Sequence, residues 1–168
     1  MDAKVYELLN HQINQELYSA YLYMAFANYY EEEGLGGFAN WYMIQAGEEK
    51  DHALKIRTYL HENGCKVKLS AVEAPGMEFA NYTAPLEAGL QHEKYVTSLI
   101  NAIYEAAHEV RDFRTMKFLD WFITEQGEEE ATAEEMLTKM KLFGSDAKAL
   151  YELDKEYGAR VATATAAE

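Results

Sequence analysis

The chain has one cysteine, Cys65, and two prolines, Pro75 and Pro85, in 168 residues. A single thiol excludes an intrachain disulfide and any cysteine-based zinc or rubredoxin-type site within one subunit, and leaves Cys65 as an ordinary helix-end residue. With proline at only two positions, almost the whole chain is free to be helical, so an all-α fold is expected. Basic residues are scarce too: 15 Lys and Arg stand against 29 Asp and Glu, for a net charge of -14. That balance repels nucleic-acid phosphates and anionic membranes and favours cations as partners. The same charge would also serve solubility alone, so its placement must decide. Long apolar runs are missing. The most apolar stretch, residues 19–30, is too short to span a bilayer, and the first twenty residues carry no signal-type apolar block. A cytoplasmic protein without a membrane partner is expected.

What is present is a helical pattern. Hydrophobic residues make up 49% of the chain, enough for one buried core, and residues 1–168 read as a single domain. Apolar positions at three and four spacing predict helices over about 2–33 and 38–63, joined tightly through Gly34, Gly36 and Gly37. Gly64 closes the second helix. The period is lost over residues 65–82, which contain Pro75-Gly76, and Thr83 is the expected N-cap of a third helix over about 83–110. A fourth helix, about 113–143, stops at Gly144. Ser145 or Asp146 then caps a short fifth helix over about 146–157, before a loose tail of small residues. A helix of about 28 residues is roughly 42 Å long at ~1.5 Å per residue. The 18-residue link could reach roughly 59 Å at ~3.3 Å per residue, enough to run the length of the bundle. Two antiparallel pairs joined by one long crossover is therefore the expected four-helix topology, with a disordered loop as the alternative.

Written in alternating steps of four and three, the core-facing seam of each long helix is interrupted by polar residues at mid-length. The first reads Leu9, Ile13, Glu16, Ala20, Tyr23, Ala27; the second, Phe38, Tyr42, Gln45, Glu49, His52, Ile56, Tyr59. The third reads Leu86, Leu90, Glu93, Thr97, Ile100, Tyr104, Ala107; the fourth, Leu119, Phe122, Gln126, Glu129, Ala133, Met136, Met140. The interruptions are in register. Glu16 to Glu49 and Glu93 to Gln126 are both 33 positions apart, and the second pair follows the first by 77, so the two hairpins look like copies. Glu49-x-x-His52 corresponds to Gln126-x-x-Glu129, each pair one turn apart on one face. Buried carboxyl groups at one level would cost several kcal/mol each in desolvation and repulsion, which a bound cation removes. Carboxylates with one imidazole and no thiolate suit iron or manganese better than structural zinc. His11, His61, His92 and His108 lack seam partners and read as surface or cap residues.

The segments Asn14-Gln15-Glu16-Leu17-Tyr18-Ser19-Ala20, Gly47-Glu48-Glu49-Lys50-Asp51-His52, His92-Glu93-Lys94 and Glu125-Gln126-Gly127-Glu128-Glu129-Glu130 resemble the non-haem ferritins of bacteria and archaea, over nearly the whole chain. The resemblance implies the ferritin-like four-helix bundle with a short fifth helix. It also implies a di-iron site: Glu16, Glu49 and His52 on the first iron, Glu49, Glu93 and Glu129 on the second, with Glu49 bridging. Gln126 would neighbour bound oxygen species, and Glu48, Glu125, Glu128 and Glu129 would form a third iron site. Tyr23 and Trp121 would lie near the pair as electron donors. Lys50 stands where haem-binding relatives have methionine, which argues against haem, and Gln126-x-x-Glu129 replaces their second Glu-x-x-His, so the second iron would be held more weakly.

The implied function is ferroxidase activity on Fe(II), with O2 or peroxide as oxidant, feeding an Fe(III) mineral inside a homo-oligomeric shell, a 24-mer by resemblance. Three readings stand beside it. A non-catalytic iron buffer would bind Fe(II) without speeding its oxidation, a small di-iron oxidase or peroxidase would not form a shell, and a polar layer that only fixes register would bind no iron.

Overall fold

The computed structural model describes residues 1–76 and 78–162. The chain is all-α and forms five helices: α1 (Ala3–Glu32), α2 (Gly36–Glu62), α3 (Ala84–Glu109), α4 (Phe113–Phe143) and α5 (Ala147–Gly158). Asp2 caps α1 by accepting from the amides of Lys4 and Val5. Gly34, at φ 76°, turns the chain out of α1, and the Leu35 amide closes back on the Tyr30 carbonyl at 2.8 Å. Gly64, at φ 71°, ends α2 in the same way, with the Cys65 amide 2.9 Å from the Leu60 carbonyl. These glycines take a left-handed conformation that other residues rarely adopt, which is why both helices stop there.

Several details differ from the sequence expectation or refine it. Gly36 and Gly37 belong to α2 instead of its approach, because the Asp154 carboxylate of α5 accepts from the amides of Gly37 and Phe38 at 2.8 and 3.0 Å and so caps the helix from a distance. Thr83 makes no side-chain cap: Asn81 Oδ1 takes the amides of Thr83 and Ala84, both at 3.0 Å, and leaves no role for the threonine hydroxyl. Gly144 is not left-handed but lies at φ -67°, and a Cβ there would fall 2.6 Å from the Met140 carbonyl oxygen, so close packing against the backbone is what requires glycine. Asp146, not Ser145, caps α5 by accepting from the Ala149 amide. The tail expected to be loose begins with Arg160 packed on α2; its residues 163–168 lie outside the described part.

Helix α1 packs against α2 and α3 against α4, α1 also meets α3, and α5 lies on α2 and α4. The crossover from α2 to α3 is tied along α1. Tyr6 Oη donates to the Lys66 carbonyl, Asn10 both donates to the Lys68 carbonyl and accepts from its amide, and Asn14 donates to the carbonyls of Ser70 and Ala71. Tyr6, Asn10 and Asn14 are four apart and share one helical face. Near the other end of α1, Tyr30 Oη donates to the Tyr82 carbonyl at 2.7 Å. The link thus runs the length of α1, and α3 starts at the end where α2 starts.

The apolar core is in two parts. One contains Tyr23, Phe26, Tyr30, Phe38, Tyr42, Leu86, Met136 and Met140; the other contains Leu9, Ile13, Ile56, Leu60, Ile100, Ile103, Leu119 and Phe122. Each part draws on all four long helices, and the polar seam residues lie between them. No helix among the described residues is long and apolar enough to cross a membrane.

Candidate metal centre

Glu16 of α1, Glu49 and His52 of α2, Glu93 of α3 and Gln126 of α4 are all buried in that dividing layer. Among the described residues, two groups bring possible ligand atoms within 4.8 Å of one another: Glu16 with Glu49 and His52, and His52 with Glu125 and Glu129. His52 belongs to both, its Nδ1 3.4 Å from Glu49 Oε2 and its Nε2 3.9 Å from Glu125 Oε1. The spacing in sequence explains the first group, since Glu49 and His52 are one turn apart on α2 and the antiparallel α1 lays Glu16 beside them.

Around these groups the hydrogen bonds are directed. Gln12 Nε2 donates to Glu16 Oε1 at 2.9 Å, while Glu16 Oε2 is buried without a partner. Gln45 Nε2 donates to both Glu49 Oε1, at 3.0 Å, and Glu129 Oε1, at 2.8 Å. Glu93 receives the Tyr23 hydroxyl on one oxygen and Gln126 Nε2, at 3.1 Å, on the other. Trp121 stands edge-on to His52 with ring centroids 5.3 Å apart, and Lys55 Nζ lies 4.2 Å from the centre of its ring.

Burial and crowding set the charges. Desolvation, then repulsion from Glu49, pushes the Glu16 carboxyl up to about 8. Burial and the charges of Glu49 and Glu129 hold Glu93 well above the usual carboxyl range, and burial with Glu49 raises Glu129 to about 7. Glu49 goes the other way: burial opposes its ionisation, but the hydrogen bond and charge of His52 outweigh it, so its pKa falls. His52 is the counterpart. Burial disfavours its cation, yet Glu49 raises it to about 9. The protein groups by themselves thus form one ion pair surrounded by carboxyls that resist ionisation, a set that a divalent cation would recharge. The donor types, carboxylate and imidazole without thiolate, and the orphaned Glu16 Oε2 fit iron.

Other residues expected at the site are arranged differently. Glu93 joins neither three-residue group; Tyr23 and Gln126 engage its oxygens, and it lies close enough to Glu49 and Glu129 to feel their charges. Of the four carboxylates expected to form a third site, Glu125 and Glu129 meet at His52, Glu48 is held by Arg160 at 2.5 Å and Glu128 is exposed, and the charges of Glu128 and Glu48 both act on Glu125. His92 is not a surface or cap residue. Its Nε2 lies 2.7 Å from Ser19 Oγ, its ring sits among Tyr18, Tyr23 and Tyr95, and burial keeps it neutral. Gln12, Gln45 and Arg160 had no assigned part in the sequence reading; Gln45, the first polar residue of the interruption in the α2 seam, was the one signal available.

A sequence model described as the ferritin-like domain matches residues 6–143. A bacterial non-haem ferritin of Staphylococcus aureus (strain USA300) is 38% identical over 154 residues, 92% of this chain and 93% of its own length. A probable bacterial non-haem ferritin-like protein of Haemophilus influenzae is 36% identical over 158 residues, 94% of this chain and 96% of its own. Among solved structures, an open-pore ferritin from Archaeoglobus fulgidus superposes with a TM-score of 0.94 at 44% identity, covering 96% of this chain and 99% of that one. The chain belongs to the ferritin family, as a non-haem ferritin of the bacterial and archaeal type, an iron-storage protein whose buried carboxylate and histidine cluster is like a ferroxidase centre.

Proposed function

We propose that this cluster takes two Fe(II) per subunit as substrate, oxidises them with O2 or peroxide, and passes Fe(III) to a mineral held within a 24-subunit shell. The observation that carries the reading is the Glu16, Glu49 and His52 triad, buried and within 4.8 Å, with an oxygen of Glu16 that no protein group satisfies. In this reading those three residues hold the first Fe(II). Glu49, Glu93 and Glu129 hold the second, Glu49 bridges the two, and Glu48, Glu125, Glu128 and Glu129 take a third iron in transit.

The chain's groups then have distinct tasks. Glu49, kept ionised by His52, offers the charge that first attracts a cation into a low-dielectric layer. Glu16 and Glu129, whose pKa values are raised, release protons as the cations enter, and His52 releases its own to become a neutral ligand. Gln126 and Gln45 orient carboxylates through their amide hydrogens. Two Fe(II) supply two electrons, which with two protons reduce O2 to hydrogen peroxide, or peroxide to two waters. Where a third Fe(II) and Tyr23 each give one more electron, the four electrons with four protons would reduce O2 to two waters, the Tyr23 hydroxyl proton, now shared with Glu93, being one of the four. The work is done in the cytoplasm, where iron is available as Fe(II).

Metal-stripped protein mixed anaerobically with Fe(II) and then exposed to O2 tests the reading by the absorbance of the Fe(III) formed. Wild type should outpace free solution, and Glu49→Ala should lose the acceleration. Equal rates for both, with Fe(II) still bound, would leave an iron buffer instead. A particle of one or two subunits on size exclusion would point to a small di-iron oxidase.

A further inference from the structure

We propose that Arg160, beyond the end of α5, is a positioning residue of the metal centre that acts through Gln45 on Glu49 and Glu129. The inference rests on the metal-binding reading above and extends it to a segment with no helical period of its own.

Arg160 is drawn onto α2 by its main chain and its side chain together. Its carbonyl accepts from Asn40 Nδ2 at 3.1 Å. Its Nη1 donates to the Trp41 carbonyl at 3.2 Å and to Gln45 Oε1 at 3.0 Å, and its Nη2 donates to Glu48 Oε2 at 2.5 Å. The guanidinium also stacks over the Trp41 ring at 4.2 Å. A planar fork with several donors can reach all of these at once, as a lysine ammonium cannot.

The consequence lies in the amide of Gln45. An amide has one end that only accepts and one that only donates, and a guanidinium has donors alone. Arg160 can therefore be met only by the oxygen of Gln45, and this turns the NH2 end toward the metal layer. There the two hydrogens go to Glu49 Oε1 and Glu129 Oε1, carboxylates on different helices. Gln45 is 2% exposed, so no water competes to turn it round. With Arg160 removed, the amide could rotate by half a turn and place its oxygen against one of the carboxylates, which repels it. Glu129 is assigned to the second cation alone and Glu49 to both, whereas Glu16 and His52 receive nothing from this relay. Losing Arg160 should therefore weaken the second cation, which loses two supported ligands, more than the first, which loses one.

Zinc, which is not oxidised, gives a readout separate from iron oxidation. Calorimetric titration of the metal-stripped protein with Zn(II) should show at least two bound cations per subunit that Glu49→Ala abolishes. In Arg160→Ala the tighter of these should persist and the weaker should bind about tenfold less tightly, the usual scale for removing a partner behind a metal ligand. Arg160→Lys, which keeps a charge near Glu48 but not the fork, should recover little of that loss. Gln45→Ala should match Arg160→Ala, and the double variant should be no weaker than Gln45→Ala alone. Two outcomes overturn the proposal: unchanged Zn(II) affinities in Arg160→Ala, or losses in the two single variants that add in the double, which would make Arg160 only a clip for the tail. A wild type with no Zn(II) binding sensitive to Glu49→Ala would instead overturn the metal-centre reading itself.

Discussion

Replacing Glu16 by Gln should make the metal-stripped protein more stable at neutral pH and less able to hold metal. Glu16 moves from an ordinary carboxyl value of 4.5 to about 8 in the folded protein, chiefly through burial and then through Glu49. Between those two values the folded chain keeps a proton that the unfolded chain has lost, so stability is full below about 4.5 and declines as the pH rises toward 8. At pH 7 the penalty is on the order of 3 kcal/mol, from ~1.4 kcal/mol per pH unit. A glutamine has no proton to lose. Its oxygen can still accept from Gln12, as Glu16 Oε1 does at 2.9 Å, and its NH2 takes the position of the unpartnered Oε2 beside Glu49. With EDTA present, thermal midpoints of Glu16→Gln and wild type should nearly coincide at pH 5 and diverge by pH 8, with the variant higher. Added Zn(II) should reverse the order, because ligand binding stabilises only the protein that binds it. A variant equal to or below wild type at pH 8 in EDTA would refute the assignment of a buried, charge-resisting carboxyl at this position.

Asn10→Ala removes two hydrogen bonds to Lys68, at 3.0 and 2.9 Å, and should cost about 1 kcal/mol. Amide hydrogen exchange should quicken over residues 66–71 and not in the long helices. Gly37→Ala would put a Cβ 1.7 Å from the Asp154 carbonyl oxygen, so α5 must lift off α2; limited proteolysis should then cleave near α5 well before wild type is cut. Tyr23→Phe removes the hydroxyl donated to the buried Glu93. It should lower stability by about 1–2 kcal/mol, with the decrease visible in urea midpoints, and abolish any tyrosyl radical signal seen by EPR during Fe(II) oxidation.

The four polar interruptions were legible because burial in a helix follows the seam: Glu16, Glu49, Glu93 and Gln126 fall in the same steps as Ile13, Ile56, Ile100 and Phe122, and all are buried. The all-α fold and its helix ends at Gly34 and Gly64 were legible for a similarly local reason, the left-handed turn that glycine allows. What escaped was non-local. Thr83 satisfies every local rule for a cap, and Asn81 displaces it. The assignment of Gly36 and Gly37 to α2 depends on Asp154, 117 positions away from Gly37. Arg160 sits among small residues with no period, and only the folded path of α5 brings it to Gln45. The same limit applies to the proposed third site, where adjacency of Glu125, Glu128 and Glu129 on α4 says nothing of Glu48 being turned toward Arg160.

The two-part core has a mechanical consequence. Each apolar half is built from all four long helices, so either could hold its own end of the bundle while the other loosens. The layer between them is the weak seam of the molecule as long as its carboxyls repel. A cation held by α1, α2, α3 and α4 at that level would act as a rivet, turning two hinged ends into one stiff rod. Loaded and stripped protein should then differ most in how sharply they melt: one steep transition with metal, a broader and two-stepped one without it.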